Sequence, residues 1–307
     1  METNNEDFEL RLLKREDIRL LKRETDKEGW CDKLDFMFEC YENNPDTYYG
    51  LFAKDGRLIS TCQGIPLTDN IAAIAEFLTV REFRGRRYGK LVFEAVVKAL
   101  GNRIIYLNAL HAAIPMYVNR WRFSKTCLEG FMQCGILRLA DVYKKLENVD
   151  LGTTKIEFVD KKEDVIDEII DYDSSICSFE RRRYVRNWIM KEDYLAVLAR
   201  DSAGKIIGWA GVRATLETGY RLSPVYASCD KLARILFLNI LTKLKDGIDV
   251  ETYGIVRDDG LLDVISELFS NATNITRFTG LRSEGAEDLK HDYDKVYALF
   301  NVEETII

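Results

Sequence analysis

The chain has 307 residues, with 44 lysines and arginines against 51 aspartates and glutamates, and a formal net charge of −7. Its hydrophobic fraction of 47% excludes general disorder, and its acidic balance disfavours broad binding to nucleic acid or to anionic membranes. The length suits about two domains, and no uncharged stretch reaches the roughly 20 apolar residues of a membrane-spanning helix.

The first half of the chain alternates between strand and helix patterns. Residues 8–13 predict a strand, and residues 15–43 predict two helices. Apolar runs on both sides of Asp55-Gly56 predict a hairpin over residues 48–64, followed by a strand over 71–80. Residues 88–100 form an amphipathic pattern that ends at Gly101 and predicts a helix. Shorter patterns predict a strand at 104–107, a helix at 112–121 and a strand at 126–132.

The second half repeats this order. The patterns predict a strand at 155–159, helical structure over 162–190 with a break near Ser178, and a hairpin over 194–212. An extended run at 220–226, a helix at 230–245, a strand at 250–256, a helix at 261–270 and a strand at 294–300 follow. The two hairpins begin at Tyr48 and Tyr194, about 146 residues apart, which indicates a tandem repeat. We predict two α/β domains, at residues 1–147 and 153–307, joined near Gly152.

The cysteines and histidines limit redox and metal chemistry. The 7 cysteines are scattered without a Cys-x-x-Cys pair, and 2 histidines are too few for a histidine-rich metal centre. The acidic start METNNED lacks the basic and apolar segments of a secretory signal. We expect a cytoplasmic protein without a metal site.

Residues 77–91, FLTVREFRGRRYGKL, carry the strongest functional signal. An apolar strand ends at Val80, a basic turn follows, and a helix begins near Tyr88. Such a turn directs backbone N–H groups and the positive end of a helix dipole into one concavity, which suits a pyrophosphate. Five basic side chains add positive charge to it: Arg81, Arg84, Arg86, Arg87 and Lys90.

Phosphate-binding motifs differ in the spacing of their glycines. A P-loop needs Gly-x-x-x-x-Gly-Lys-Ser/Thr, but Gly85 and Gly89 are one residue too close, and Leu91 replaces the hydroxyl residue. The dinucleotide fingerprint Gly-x-Gly-x-x-Gly is absent. The segment resembles instead the coenzyme A loop of the GNAT superfamily of N-acetyltransferases, Arg/Gln-x-x-Gly-x-Gly/Ala after a strand. The match runs from Arg84 to Gly89, with Arg87 at the middle glycine position.

The resemblance extends beyond the loop. The order of elements over residues 8–134 is similar to that family, and the whole chain resembles a subgroup with a second, degenerate C-terminal GNAT-like domain. It implies an α/β fold of two such domains, each with a mostly antiparallel central sheet flanked by helices. It also implies an acetyl-CoA site in the first domain, with a backbone N–H near Leu78 polarising the thioester carbonyl. The residues implied in coenzyme binding are Leu78, Val80, Arg84, Gly85, Arg86, Arg87, Tyr88, Gly89 and Lys90.

Two side chains are candidates for proton transfer. Glu76 is the one acidic residue between Asn70 and Arg81, and an acid in an apolar strand is either a structural group or a base with a raised pKa. By the resemblance, Tyr117 would protonate the leaving thiolate, and a core tyrosine is the alternative interpretation. The matching turn of the second half, residues 222–230, has no glycine and no base, and its Asp230 would repel phosphate.

These observations predict an acetyl-CoA-dependent N-acetyltransferase that moves the acetyl group directly to a primary amine. The acceptor would be a small molecule or a peptide, with no nucleic acid or membrane as partner. Two alternatives stay open: transfer of a longer acyl group, and a catalytically silent coenzyme A-binding or interaction module. The second alternative rests on Arg87 and Arg122, which stand where the family usually has glycine. The sequence does not predict an oligomeric state.

Overall fold

The computed structural model describes residues 8–147, 152, 154–256, 268–272 and 275–300. These residues form two compact units. Among the described residues, the first unit holds 8–108 and 281–284, and the second holds those within 109–280 and 285–300. The predicted joint between residues 147 and 153 lies almost wholly outside the described residues, so this boundary stays a prediction.

The first unit is built on one sheet with the order β1-β2-β3-β4-β5. Neighbouring strands are antiparallel except β4 and β5, which are parallel. Its elements in chain order are β1 (Phe8–Leu12), α1 (Ile18–Glu28), α2 (Leu34–Asn43), β2 (Tyr48–Ala53), β3 (Leu58–Pro66), β4 (Ile71–Thr79), α3 (Tyr88–Leu100) and β5 (Ile104–Leu110).

Local sequence explains these elements. Asp55-Gly56 turns the chain between β2 and β3, and Gly56 has φ 83°, a conformation that glycine adopts without steric cost. One stripe of α3, including Val92, Phe93 and Val96, is fully buried, as the helical period of its apolar residues predicts. A separate cluster packs α1 and α2 against the sheet: Leu21, Met37, Phe38, Tyr48, Phe52 and Leu78 are among its members.

The second unit has a larger sheet with the order β13-β6-β11-β14-β10-β9-β8-β7. Its core packs α8 against this sheet, and Leu236, Ile240 and Val212 are fully buried there. Its elements are α4 (Ile114–Trp121), β6 (Ser124–Leu137), α5 (Leu139–Leu146), β7 (Lys155–Phe158), α6 (Glu163–Cys177), α7 (Arg182–Ile189), β8 (Tyr194–Arg200), β9 (Ile206–Arg213), β10 (Gly219–Ala227), α8 (Asp230–Leu241), β11 (Asp249–Ile255), β12 (Phe269–Ser270), β13 (Thr276–Arg282) and β14 (Val296–Ala298).

The predicted fold class, a mixed α/β architecture with mostly antiparallel sheets, is confirmed. The main differences lie in the second unit, where β6 is longer than the predicted strand at 126–132 and where α5 and β13 were not predicted. The predicted helix at 261–270 falls largely outside the described residues, and its last two residues form β12. Among the helices of the described residues, none is long and apolar enough to cross a bilayer.

Candidate active site

The central feature of the first unit is a bulge in β4. Thr61 pairs with Leu78 and Gln63 with Ala75, so two residues of β4 stand opposite one residue of β3. Glu76 is the first of these two and has φ 49°, in the left-handed region. A bulge of this kind breaks the ladder and redirects the strand, and bulges are common beside active sites.

Two hydroxyl groups of β3 fix the backbone of the bulge. Thr61 Oγ1 donates to the carbonyl oxygen of Glu76 at 3.0 Å, and Ser60 Oγ donates to the carbonyl oxygen of Leu78 at 2.7 Å. Both side chains are fully buried. The sequence assigned β3 to a hairpin without distinguishing these residues, because serine and threonine in a strand carry no local signal for this role.

The edge of β4 that faces β5 is open beyond its first three residues. The ladder between these two strands joins Ile71–Ala73 to residues 104–106, and within the described residues no pair of β4 with β5 continues beyond Ala73. The amide of Val80 donates to the carbonyl oxygen of Ile59 at 3.0 Å. By alternation along the strand, the amide of Leu78 also faces β3, and the amide of Thr79 faces the open side.

This alternation gives the directions of the amides in the predicted coenzyme site, whose contacts stay predictions. Leu78 and Val80 were expected to contact the coenzyme, with an N–H near Leu78 polarising the thioester. The amide of Val80 is used by β3, and Thr79 carries the nearest amide directed to the open edge. The carbonyl oxygen of Thr79 points the same way and accepts a hydrogen bond from Arg84 Nε at 2.8 Å.

The basic loop, residues 81–87, connects β4 to α3 through two left-handed residues. Gly85 has φ 80° and Arg87 has φ 67°. A Cβ on Gly85 would find no atom within 4 Å, so the loop backbone there borders open space. The first-turn amides of a helix point toward its N-terminal end, where an anion binds. In α3 the amide of Lys90 donates to the carbonyl oxygen of Arg87 at 3.1 Å, and the amide of Gly89 points toward that end.

Gly89 brings the start of α3 close to β4. A Cβ at this position would lie 2.8 Å from Thr79 Oγ1 and 3.1 Å from the ring of Phe77. A glycine therefore lets the helix N-terminus approach the open edge of the strand more closely than any other residue would.

The positive charges of the loop are not equivalent. Arg81 Nε contacts Glu28 Oε1 at 2.8 Å, and Arg84 contacts the same oxygen at 2.7 Å. Hydrogen bonds from Arg81 and Arg84 lower the pKa of Glu28 below its ordinary value. Arg87, by contrast, has no carboxylate within ion-pair distance in the part of the chain that the structure describes. Glu28 had no predicted role because 53 residues separate it from Arg81.

The candidate proton-transfer residues lie in different units. Glu76, in the first unit, is half-buried, with its Oε2 atom fully buried. Tyr117 lies on α4 of the second unit with its ring centroid 5.8 Å from that of Trp121 and 6.1 Å from that of Phe123. Arg122 ends α4 with φ 57°, the conformation for which glycine is favoured. The roles of Glu76 and Tyr117 stay predictions.

The second unit contains the same kind of opening, but its own chain fills it. β10 and β11 pair in parallel over Gly219–Leu222, which resembles the β4–β5 arrangement. β14 then enters between them: Ala298 pairs with Val225 of β10 and with Gly254 of β11. The strand is fully buried, and Asp230 at the start of α8 accepts a hydrogen bond from Tyr297 at 2.5 Å.

Comparison with known families identifies acetyltransferase models in both halves of the chain. Residues 15–120 match the acetyltransferase (GNAT) family, and residues 169–254 match an acetyltransferase (GNAT) domain. Holothin acyltransferase from Pseudoalteromonas sp. is 25% identical over 130 residues. This match covers 42% of the chain and 38% of that enzyme, so it spans well under half of the relative.

Solved structures show the same architecture over nearly the whole chain. A putative acetyltransferase from Pyrococcus horikoshii aligns with a TM-score of 0.73 at 14% identity, over 99% of this chain and 98% of that one. A tandem GNAT protein from the clavulanic acid biosynthesis pathway aligns with a TM-score of 0.64 at 13% identity, over 92% and 100% of the two chains. At these identities the likeness establishes the fold.

Proposed function

We propose that this chain, which belongs to the GNAT acetyltransferase superfamily in both of its halves, transfers an acetyl group from acetyl-CoA to a primary amine. Acyl transfer is the reaction class of the family, and the acetyl group and the amine acceptor are the parts that we infer. The observation that supports this most strongly is the open edge of β4 beside the basic loop, together with the filled opening of the second unit.

The residues of the first unit suit coenzyme A. The open edge offers the amide of Thr79 to a pantetheine chain, which pairs with peptide groups as a strand does. Gly85 and the first-turn amides of α3 border a space in which a pyrophosphate would be held, with Arg86 and Arg87 adding charge. When bound, the coenzyme supplies an acyl group activated as a thioester. The negative net charge of the chain favours a cationic or neutral acceptor.

Direct transfer requires three proton movements. The protonated amine first loses a proton to become nucleophilic, and we assign its acceptance to Glu76, directly or through a water. The neutral amine attacks the thioester carbon, the C–S bond breaks, and Tyr117 donates its phenolic proton to the departing thiolate. The nitrogen of the new amide releases its surplus proton, which restores Tyr117. Each role is worth roughly 10²- to 10⁴-fold in rate where it operates. The seven cysteines are free thiols, which suits the reducing cytoplasm that we propose as its location.

A silent coenzyme-binding module is the second candidate, and a specific observation favours it. Arg87 and Arg122 both have left-handed backbones at positions where the family usually has glycine. Each conformation costs roughly 1–2 kcal/mol for a residue with a Cβ. Such a cost is compatible with a family member that binds coenzyme A weakly or has lost catalytic activity.

Calorimetry with coenzyme A, followed by a thiol-release assay, tests the proposal. The full chain should bind coenzyme A, and Arg86→Ala should weaken binding about tenfold to a hundredfold through loss of a charged contact. Lys98→Ala is the matched control because it removes one exposed positive charge from the far end of the same helix. Absence of binding at millimolar coenzyme would refute the site.

The thiol-release assay separates the remaining alternatives. Acetyl-CoA and acyl-CoAs of increasing chain length are each combined with a panel of amines, amino acids and short peptides. Thiol release that is fastest with acetyl-CoA supports acetyl transfer. Faster release with longer acyl chains supports the alternative, in which the chain transfers a longer acyl group. Normal coenzyme binding without release from any donor identifies the silent module.

A further inference from the structure

β1 forms one edge of the sheet of the first unit, and the direction of its peptide groups follows from one hydrogen bond. The amide of Leu13 donates to the carbonyl oxygen of Tyr48 at 2.8 Å, and the register pairs Leu12 with Tyr49. Alternation then directs the peptide groups of residues 9 and 11 toward β2. Those of residues 8, 10 and 12 face outward, where no other strand of the described residues pairs with β1.

The residues with outward peptide groups also expose apolar side chains. Phe8 is 43% exposed, Leu10 is 40% exposed and Leu12 is 37% exposed, and successive odd and even positions point to opposite faces. We call these three residues the apolar edge. Soluble proteins usually protect such an edge with charged side chains, proline, a bulge or a very short strand, since it otherwise pairs with another chain. Residues 8–12 contain no proline and no bulge, and the two charged residues, Glu9 and Arg11, alternate with the apolar edge and so lie on the opposite face.

β7, an outer strand in the second unit, has an exposed aromatic residue that is protected by a charge. Its exposed aromatic residue, Phe158, is 42% exposed, but Lys243 Nζ lies 4.1 Å from the ring centroid. A charged ammonium group over the exposed ring opposes the docking of an apolar surface there. β1 carries no comparable cation over its apolar edge among the described residues, where Phe8 instead contacts the ring of Tyr88.

We propose that the apolar edge binds a second copy of this chain, with the two β1 strands antiparallel about a two-fold axis at Leu10. This register places Phe8 opposite Leu12 of the second copy, and all of these residues have outward peptide groups. It also places Glu9 opposite Arg11 of the second copy. The strand is therefore complementary to itself in both charge and hydrogen bonding, as an isologous interface requires.

The existing contacts of the charged residues are compatible with this pairing. Arg11 donates to Asp17 Oδ2 at 2.6 Å and to Oδ1 at 3.1 Å, so its guanidinium is already held in place. It also donates to the carbonyl oxygen of Leu12 at 3.0 Å, and that oxygen keeps a second lone pair for an amide of the second copy. Glu9 has a side chain that is 70% exposed and lies 3.7 Å from Arg11 of its own chain. The second copy would bring another carboxylate to Arg11 without removing Asp17.

Sedimentation equilibrium of the full chain tests the dimer. The wild type should show a concentration-dependent monomer–dimer equilibrium. Leu10→Pro removes an amide that faces outward and leaves the β1–β2 ladder its hydrogen bonds, so it should weaken dimerisation at least tenfold. Ile156→Pro is the matched control, because the hydrogen bond from Val159 N to Ala196 O likewise directs the amide of Ile156 away from β8. A monomeric wild type at millimolar protein, or equal effects of both proline variants, would overturn the proposal.

Charge reversal tests the register independently of proline. Glu9→Arg and Arg11→Glu each place like charges opposite one another in the homodimer, and each should weaken it by about tenfold to a hundredfold. Mixed in equal amounts, these two variants should form a heterodimer, since their reversed charges are complementary. If Arg11→Glu is unfolded by circular dichroism, position 9 alone tests the register: Glu9→Arg should weaken the dimer more than Glu9→Gln, and equal weakening would contradict it. Failure of the folded pair to form a heterodimer would refute the register.

Discussion

Substitution of Gly89 by alanine tests whether the close approach of α3 to β4 organises the site. The added Cβ would lie 2.8 Å from Thr79 Oγ1 and 3.1 Å from the ring of Phe77. By helix propensity alone, alanine would stabilise this position by up to about 1 kcal/mol. Overpacking of a close contact costs roughly 1–3 kcal/mol, so we expect a net loss of about 0–2 kcal/mol. The sign of the change in the free energy of unfolding therefore distinguishes helix propensity from overpacking.

The assay combines urea unfolding with calorimetric binding of coenzyme A. Gly89→Ala should lower the free energy of unfolding and weaken coenzyme binding, because the helix start must move away from the open edge. Thr79→Ala in the same chain removes the nearest atom and should restore part of both quantities, which a double-mutant cycle measures. Gly85→Ala is the comparison in which no atom lies within 4 Å and only the backbone conformation is strained. A Gly89→Ala variant that is stabilised by about 1 kcal/mol and binds coenzyme normally would refute the reasoning.

Three further predictions concern the backbone strain, the proposed chemistry and acid stability. Arg87→Gly relieves a left-handed conformation worth roughly 1–2 kcal/mol but adds about 0.4–1 kcal/mol of unfolded-state entropy, so it should stabilise the fold slightly in urea while weakening coenzyme binding. Tyr117→Phe should lower kcat roughly 10²- to 10⁴-fold without changing coenzyme affinity. Glu76→Gln should reduce kcat/KM most at low pH, where the amine is protonated. Unchanged turnover in either variant removes that residue from the mechanism. Burial lowers the pKa of His291 from 6.5 to about 4, so the unfolded chain binds this proton first and stability should fall as the pH drops from 6.5 to 4, by up to about 1.4 kcal/mol per unit. His291→Gln should flatten that part of the Tm profile, and an identical profile would contradict the assignment.

Features set by local sequence were predictable. The turn at Asp55-Gly56, the apolar stripe and Gly101 end of α3, and the helix break at Ser178 follow from neighbouring residues, and the structure shows each of them. The motif position of Arg87 was also read locally: it stands where the motif has its middle glycine, and its backbone has the positive φ that glycine adopts without steric cost. The bounds of such elements are fixed by side chains within one or two turns of the chain.

Features that depend on distant residues were not predictable. Charged residues such as Lys125 and Glu129 interrupt the apolar pattern of β6, so the sequence predicted a shorter strand. Its pairing with β11 along seven residues, from Asp249 to Ile255, supplies hydrogen bonds that local propensity does not contain. The ion pairs of Glu28 with the loop arginines are of the same kind, since they connect residues separated by more than fifty positions.

The difference between the openings of the two sheets also has one local cause and one that depends on distant residues. From the sequence, the second half was judged inactive because its turn has no glycine and ends in Asp230, which is a statement about charge. The structure adds a steric reason, because β14 pairs with both β10 and β11 where the first unit leaves β4 open. The hydrogen bond from Tyr297 to Asp230 then ties that acidic residue to the inserted strand. A residue that would repel phosphate in an open site here stabilises the strand that occupies the opening, so loss of the loop motif and insertion of β14 are parts of one arrangement.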